Sequence, residues 1–349
     1  MTSVNGNFYL PPEWTRQSGA MLTWPHSQSD WEPILDTVEP VYTEIARQIS
    51  LKEKLLIVCF NEEHKNHIKT LLTQENIKLS GIIFFISESD DTWARDHAPL
   101  SVYKNKKPVL LNFEFNGWGN KYPSQRDNNI TENLCHSGIF SKSHCNKIDM
   151  VFEGGSIDVN GAGEMLTTSR CLLSKKRNPD INQNQIEKKL GELFSVNAIC
   201  WLQHGYLEGD DTDAHIDTLA RFCDENTIVY TSCEDKQDIH YTELKLMAEE
   251  LESWTSNSPK TFRLLPLPIP KAIYNAEGKR LPANYANFFI INRAVLVPLY
   301  NDPADSRAID TLKTCFPDKE IIGIDCLPLI QQFGSLHCVT MQFPEGFLD

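Results

Sequence analysis

Ile186-Glu187-Lys188-Lys189-Leu190-Gly191-Glu192-Leu193-Phe194-Ser195-Val196-Asn197-Ala198-Ile199-Cys200-Trp201-Leu202 changes its hydrophobic period once, and the change reads as a helix feeding a strand. Ile186, Leu190, Leu193 and Phe194 fall at i, i+4, i+7 and i+8, the apolar stripe of an amphipathic helix. Residues 198–202 are then a short apolar run of strand length. Upstream lies another such run, 165–168, entered through Asn160-Gly161, a dipeptide suited to a hairpin turn. The unit is therefore strand, helix, strand. Further strand-type runs lie at 55–60, 82–86, 109–113, 150–152, 228–231, 262–267, 288–291, 294–298, 321–325 and 339–343. Further helical stripes are Leu244, Met247, Leu251 and Trp254, and Ile309, Leu312 and Phe316. Residues 31–49 are periodic too, with Pro40 expected to interrupt or kink the helix. No linker or low-complexity segment breaks this alternation, so one α/β domain is expected over 1–349. A strand-helix-strand recurrence roughly every 70 residues suggests five similar units around an axis, their inner ends converging on a central cavity.

Composition narrows the partners. With 33 Lys and Arg against 47 Asp and Glu, the net charge is −14. That disfavours nucleic acid, which calls for clustered basic residues, and suits a cationic small molecule. Acidity also keeps a protein soluble, so charge alone does not decide between the two. No run is long and apolar enough to span a bilayer, and residues 1–10 lack the basic and apolar regions of a signal peptide. A cytoplasmic protein is the expectation, its ten cysteines kept as thiols.

Four segments could carry chemistry. In Asp213-Ala214-His215-Ile216-Asp217-Thr218, read as a strand, His215 and Asp217 share a face, and an imidazole beside a carboxylate suits proton transfer. An isolated His-x-Asp is most often a surface ion pair. Here Glu208, Asp210, Asp211, Asp213 and Asp217 crowd together, and such charges call for a cation among them. In Gly334-Ser335-Leu336-His337-Cys338-Val339-Thr340-Met341-Gln342 a glycine turn feeds a strand on which Cys338 and His337 face opposite ways, so any base for Cys338 comes from elsewhere. A lone cysteine is more often inert core. Asp91-Thr92-Trp93-Ala94-Arg95-Asp96 offers a flat aromatic surface and a carboxylate for a planar cation, or else a buried Trp and a turn before Pro99. Glu153-Gly154-Gly155-Ser156 places Glu153 at a strand end beside glycines that allow close backbone approach. Cys135, His136, His144 and Cys145 were weighed as a zinc set, but adjacent Cys-His pairs do not readily both turn inward, so no metal or other cofactor is expected.

Together these segments resemble the agmatine deiminases of the guanidino-group-modifying superfamily, as do Glu13-Trp14, Thr23-Trp24-Pro25, Phe115-Asn116-Gly117-Trp118-Gly119, Gly209-Asp210-Asp211-Thr212-Asp213, Leu281-Pro282-Ala283 and Tyr300-Asn301-Asp302-Pro303. The resemblance implies a pentein fold, a five-bladed α/β propeller with a central active site. It implies Cys338 as nucleophile, His215 as general acid/base, Asp96 and Asp217 as the carboxylates gripping a guanidinium, Glu153 as the partner that orients and charges His215, and Trp93 along the substrate stem. Asp210 and Asp211 are further candidates, for the amine of agmatine. Ala94 departs from the aromatic of many relatives and is expected to reshape the pocket edge. The partner implied is a small cationic guanidino compound, with no nucleic acid and no membrane; a homo-oligomer is left open. Two alternatives stand beside it: a deiminase of peptidyl-arginine or another guanidino compound, and a non-catalytic pentein binding protein.

Overall fold

The structure, a computed structural model, describes residues 8–348; the reading of the first residues as no signal peptide falls largely on 1–7, outside the described residues. Five small sheets follow one another along the chain, each built on one plan. In the fourth, strand Ala220–Phe222 runs antiparallel to Thr227–Ser232, helix Tyr241–Ser256 crosses over, and Arg263–Pro268 returns parallel to the middle strand. The fifth repeats this with Phe289–Ile291, Ala294–Leu299, helix Ala304–Cys315 and Glu320–Asp325. The third does so with Ile157–Val159, Glu164–Thr168, helix Gln183–Phe194 and Ala198–Leu202, the segment read first above. The second uses Leu100–Lys104, Lys107–Glu114 and His144–Val151, with Phe8–Tyr9 added at its edge. The first is closed by the far end of the chain: Thr340–Pro344 pairs antiparallel with Gln17–Thr23, which continues into Lys54–Cys59 and Ile82–Ile86. That pairing joins the two ends of the chain in one sheet.

Helices bury the stripes that predict them. Ile186, Leu190 and Phe194 are buried behind a capping box of Asn182 and Gln185. Helix Leu35–Ser50 buries Val38, Val41, Tyr42, Ile45, Ala46 and Ile49. It passes through Pro40 unbroken, because this proline stands on the exposed face near the start, where the carbonyl it leaves unpaired can be hydrated. Helix Ala304–Cys315 packs through Ala304, Ala308, Leu312 and Cys315 rather than through Ile309.

The connections between sheets matter most for function. Asp96, Glu153, Asp217, Asn287 and Cys338 each stand two to four residues ahead of the first strand of a sheet. Three of these connections share a turn. Ser156 Oγ donates to the Glu153 carbonyl (2.6 Å), Thr218 Oγ1 to that of His215 (2.9 Å) and Thr340 Oγ1 to that of His337 (3.1 Å). In each turn the backbone N–H of that Ser or Thr donates to the same carbonyl. Glu153, His215 and His337 are thus equivalent residues of three pseudo-repeats.

One expectation about cysteine is corrected. Cys135 and Cys145 form a disulfide, so the chain holds eight free thiols rather than ten. The helix ending at His136 and the strand beginning at His144 bring the two Cα atoms to 5.9 Å, which the linear sequence does not show.

Candidate active site

The turns at the inner strand ends deliver their side chains to one pocket. Trp93, Asp96, Asp217 and Cys338 line it together with Trp118, Tyr122, Phe333 and Gly334. His215 and Glu153 stand behind this lining, both fully buried. Gly155 makes the convergence possible. A Cβ there would lie 2.6 Å from His215 Nδ1, 2.9 Å from Asp96 Oδ1 and 3.1 Å from Asp217 Oδ2, so only glycine lets the three groups close on one point.

His215 and Asp217 do not lie on a strand as the alternation reading has it. They flank Ile216 in a tight turn (Ile216–Thr218), entered through Asp213 and Ala214, both at φ 66. The turn still directs both side chains inward, because Asp210 clamps it from outside: its Oδ1 accepts from Thr212 N (3.0 Å) and its Oδ2 from Ala214 N (2.6 Å). Cys338 likewise sits in a turn, two residues before its strand. His337 does point away from the thiol, into a buried charge network described below.

His215 Nε2 lies 3.2 Å from Glu153 Oε2, and Nδ1 lies 3.7 Å from Asp96 Oδ1. Burial alone would depress its pKa, but Asp96, Cys171 and Glu153 outweigh that and hold the imidazole well above its ordinary value. Glu153 is kept below the ordinary carboxylate range, against burial, by the bond to His215 and by Arg177, whose Nε donates to both carboxylate oxygens (2.9 and 2.8 Å). Arg177 also binds Asp213 Oδ2 at 2.6 Å, so this arginine is one cation that the acidic stretch calls for; Lys121, bonded to Asp213 Oδ1 at 2.8 Å, is another. Glu153, Cys171 and His215 offer donor atoms within 4.8 Å of one another. A metal ion there would sit against the Arg177 guanidinium, whose bonds occupy both Glu153 oxygens, so the set does not suit one.

The two gripping candidates are held differently. Asp96 Oδ2 accepts from Trp118 Nε1 (2.9 Å) and Oδ1 from Gly155 N (3.0 Å). Burial raises its pKa, and Asp217 and Glu153 push it the same way. Asp217 gives Oδ2 to His337 Nδ1 (2.8 Å), while its buried Oδ1 has no hydrogen-bond partner. Despite burial, His337 holds Asp217 below its ordinary value. Cys338 Sγ donates to Asn287 Oδ1 at 3.4 Å. Burial first, and then Asp217 and Asp96, push its thiol well above the ordinary range. In the free protein the pocket therefore carries a neutral thiol in its lining and a charged imidazole behind it.

Trp93 forms one wall, with its indole so near Gly334 that a Cβ there would overlap the ring. The less buried Asp30, Asp91, Asp210 and Asp211 line the pocket too, and among the described residues no lysine or arginine is part of the lining, although Lys279 Nζ stands 4.0 Å from Asp211 Oδ1. Asp211 Oδ2 accepts from Tyr122 O–H (2.8 Å). Ala94 is fully buried in the core and is absent from the pocket edge, so its effect there is corrected: the short helix Ala94–His97 turns it away from the cavity.

Sequence reasoning missed Asn287, Arg177, Trp118, Asp30 and Asp91. Asn287 Oδ1 accepts from His337 N (2.9 Å), Cys338 N (3.3 Å) and Cys338 Sγ, and its Nδ2 donates to the Asp217 carbonyl (3.3 Å). The five-unit rhythm could have located it, since four of the five connections carry a singled-out residue and the fifth calls for one as well.

The chain is similar to known proteins in sequence and in fold. Residues 9–344 match the Porphyromonas-type peptidyl-arginine deiminase family. The chain belongs to that family. A Selenomonas ruminantium relative described as a "Putative agmatine deiminase" is 31% identical over 97% of this chain and 96% of its own. The fold matches a structure of C. jejuni agmatine deiminase with substrate bound at TM-score 0.91 and 39% identity, covering 99% of both chains. It matches agmatine deiminase of Enterococcus faecalis at TM-score 0.84 and 26% identity, over 97% of this chain and 96% of that one. The five-sheet ring is thus the pentein fold of these enzymes.

Proposed function

We propose that this protein is an agmatine deiminase, converting agmatine and water to N-carbamoylputrescine and ammonia as a cytoplasmic step of putrescine synthesis. One observation supports it above the rest: the pocket is lined by a thiol, two buried carboxylates and four further aspartates, which outnumber the Lys121 and Lys279 ammonium groups beside Asp211. A guanidinium fits the floor, where two carboxylates can take its N–H groups and present the central carbon to sulfur. The mouth suits an ammonium. Its nearby lysines, Lys121 and Lys279, are already engaged with Asp211 and Asp213 rather than facing a ligand carboxylate, which favours the decarboxylated substrate. For the peptidyl-arginine suggested by the family description, a groove admitting main chain on both sides is needed.

The chemistry follows from the charges. As the cationic substrate enters, its field offsets Asp96 and Asp217, and Cys338 loses its proton to water. The thiolate adds to the guanidinium carbon, forming a C–S bond. His215, already protonated, gives its proton to the departing nitrogen, and ammonia leaves with breakage of that C–N bond. An S-alkylamidinium remains on Cys338. The now neutral His215 takes a proton from water, whose oxygen adds to the same carbon. The C–S bond then breaks as the new hydroxyl's proton passes to the departing sulfur, which releases the ureido product and restores the Cys338 thiol. Glu153 with Arg177 behind it holds His215 in register throughout.

Mass spectrometry of agmatine incubated with the protein is expected to show N-carbamoylputrescine and one equivalent of ammonia. Cys338→Ala should abolish both. No turnover of agmatine alongside turnover of an arginine-containing peptide would replace the reading, and turnover by Cys338→Ala would end it.

A further inference from the structure

His337 takes no part in the steps above, yet it is buried and makes two short contacts to carboxylates. Nδ1 lies 2.8 Å from Asp217 Oδ2 and Nε2 lies 2.8 Å from Glu13 Oε2. Glu13 is anchored in turn: its Oε1 accepts from Ile290 N (2.7 Å), its Oε2 from Arg221 Nη2 (2.9 Å), and Arg95 Nη2 stands 3.7 Å away. Arg221 continues the chain to Asp158 Oδ2 at 2.5 Å. This column of alternating charge runs from residue 13 to the floor of the pocket and ends on a single oxygen. That oxygen is Asp217 Oδ1, which is buried and has no hydrogen-bond partner. Leaving a buried acceptor unpaired is unfavourable, so a site that keeps one open has a use for it when ligand arrives.

We propose that His337 is a positioning residue for the deiminase reaction: it holds the Asp217 carboxylate from behind through one oxygen and leaves the other for the substrate guanidinium. The proposal rests on the function given above and adds to it the residue that makes Asp217 a fit acceptor. Both ring nitrogens face carboxylate oxygens, which accept and do not donate, so the ring donates twice and carries two N–H protons. Its backbone is fixed as well, because His337 N donates to Asn287 Oδ1, the same atom that receives the Cys338 thiol. His337 therefore sits in the same turn as the nucleophile while its side chain serves the opposite wall. It occupies the turn position that His215 and Glu153 occupy in their own repeats, so one turn has been put to three different uses.

The test is the pH profile of kcat/KM for agmatine. The groups facing Asp217 are His337, His215, Arg221, Arg95, Asp96 and Cys338. Of these, His337 bonds Asp217 directly and helps keep it deprotonated. In His337→Gln the carboxyl should hold its proton to higher pH. The acidic limb should then move up in pH, with kcat/KM at neutral pH falling about tenfold to a hundredfold, the usual loss for a hydrogen bond to a charged group. Glu13→Gln, which leaves the Asp217 contact but weakens its anchor, should shift the limb in the same direction by less. A folded His337→Gln protein with the wild-type limb overturns the inference. Should both variants fail to fold, ring ¹⁵N shifts of histidine-labelled wild type decide: His337 protonated on both nitrogens across the acidic limb supports the proposal, and a singly protonated ring there sinks it. If wild type itself releases no ammonia from agmatine, the failure belongs to the proposed function, since the ring protonation can still be read.

Discussion

Asp96 and Asp217 are both fully buried, both near His215, and both placed at the head of a sheet, yet their acidities move in opposite directions. The wall that carries Asp96 answers it with neutral donors, an indole and a peptide N–H. The wall that carries Asp217 answers it with an imidazole backed by Glu13 and Arg221. Burial is common to both. What differs is the balance: burial, Asp217 and Glu153 outweigh the His215 charge 3.7 Å from Asp96, whereas His337 bonds Asp217 directly and outweighs its burial. The division suits a guanidinium: one carboxylate stays ionised in the empty pocket, and the other ionises most readily once a cation arrives.

The largest effect expected comes from forcing the two walls apart. Gly155→Ala would push a methyl group against His215, Asp96 and Asp217 together. Displacing three groups at once should cost kcat/KM more than the hundredfold to thousandfold typical of losing one stabilising group. Steady-state kinetics alongside a circular dichroism spectrum check this. A folded, active Gly155→Ala protein would mean that the walls do not need to meet there.

Stability separates the walls next. Asp217→Asn breaks a buried ion pair and strands the His337 charge on one partner, so it should destabilise by about 3 kcal/mol or more. Asp96→Asn removes a poorly compensated carboxylate and should be close to neutral, within about 1 kcal/mol. Urea unfolding measures both, and equal losses would erase the contrast. The pH dependence carries the same signs. For Asp217, held low in the fold, the stabilisation is full above the ordinary carboxylate range and is lost as pH falls through its depressed pKa. For Asp96, held high, the fold gains stability as pH falls through its raised pKa. Asp217→Asn should therefore flatten the acid side of the stability curve, whereas Asp96→Asn should steepen it.

The smallest effect belongs to the mouth. Asp211→Asn keeps the Tyr122 contact and removes one charge from an open, hydrated rim. We expect KM for agmatine to rise only a few fold with kcat unchanged, an exposed charge pair being worth about 0.2–1 kcal/mol. Asp210 is a different matter despite lying next to it, because both its oxygens are committed to the turn that presents His215.

Much of the architecture was legible because the middle and outer strands of each sheet are apolar runs, such as Ala198–Leu202 and Ala294–Leu299. The inner strands were harder. Leu100–Lys104, Ile157–Val159 and Ala220–Phe222 do not read as strands because Ser101, Asp158 and Arg221 break their apolar pattern, as Gln17 does in the middle strand Gln17–Thr23. Those polar residues are nevertheless buried: Arg221 pairs with Asp158, and Gln17 donates to the Glu13 and Ile290 carbonyls. The apolar inner strands Phe289–Ile291 and Thr340–Pro344 were visible for the converse reason. In the site, residues in motifs of unusual composition stood out. Asn287 and Arg177 did not, because an asparagine or arginine gains its role here only from what lies opposite.

Sequence alone determined the periods of the elements, the repeat rhythm and the residue types able to handle a guanidinium, all of which are local and survive in a linear string. Only the closed ring decided that Cys135 meets Cys145, that His337 meets and holds Asp217, and that two like carboxylates diverge in acidity. Acidity depends on which charges lie within a few ångströms in a medium without water, and those neighbours come from residues up to 324 positions apart.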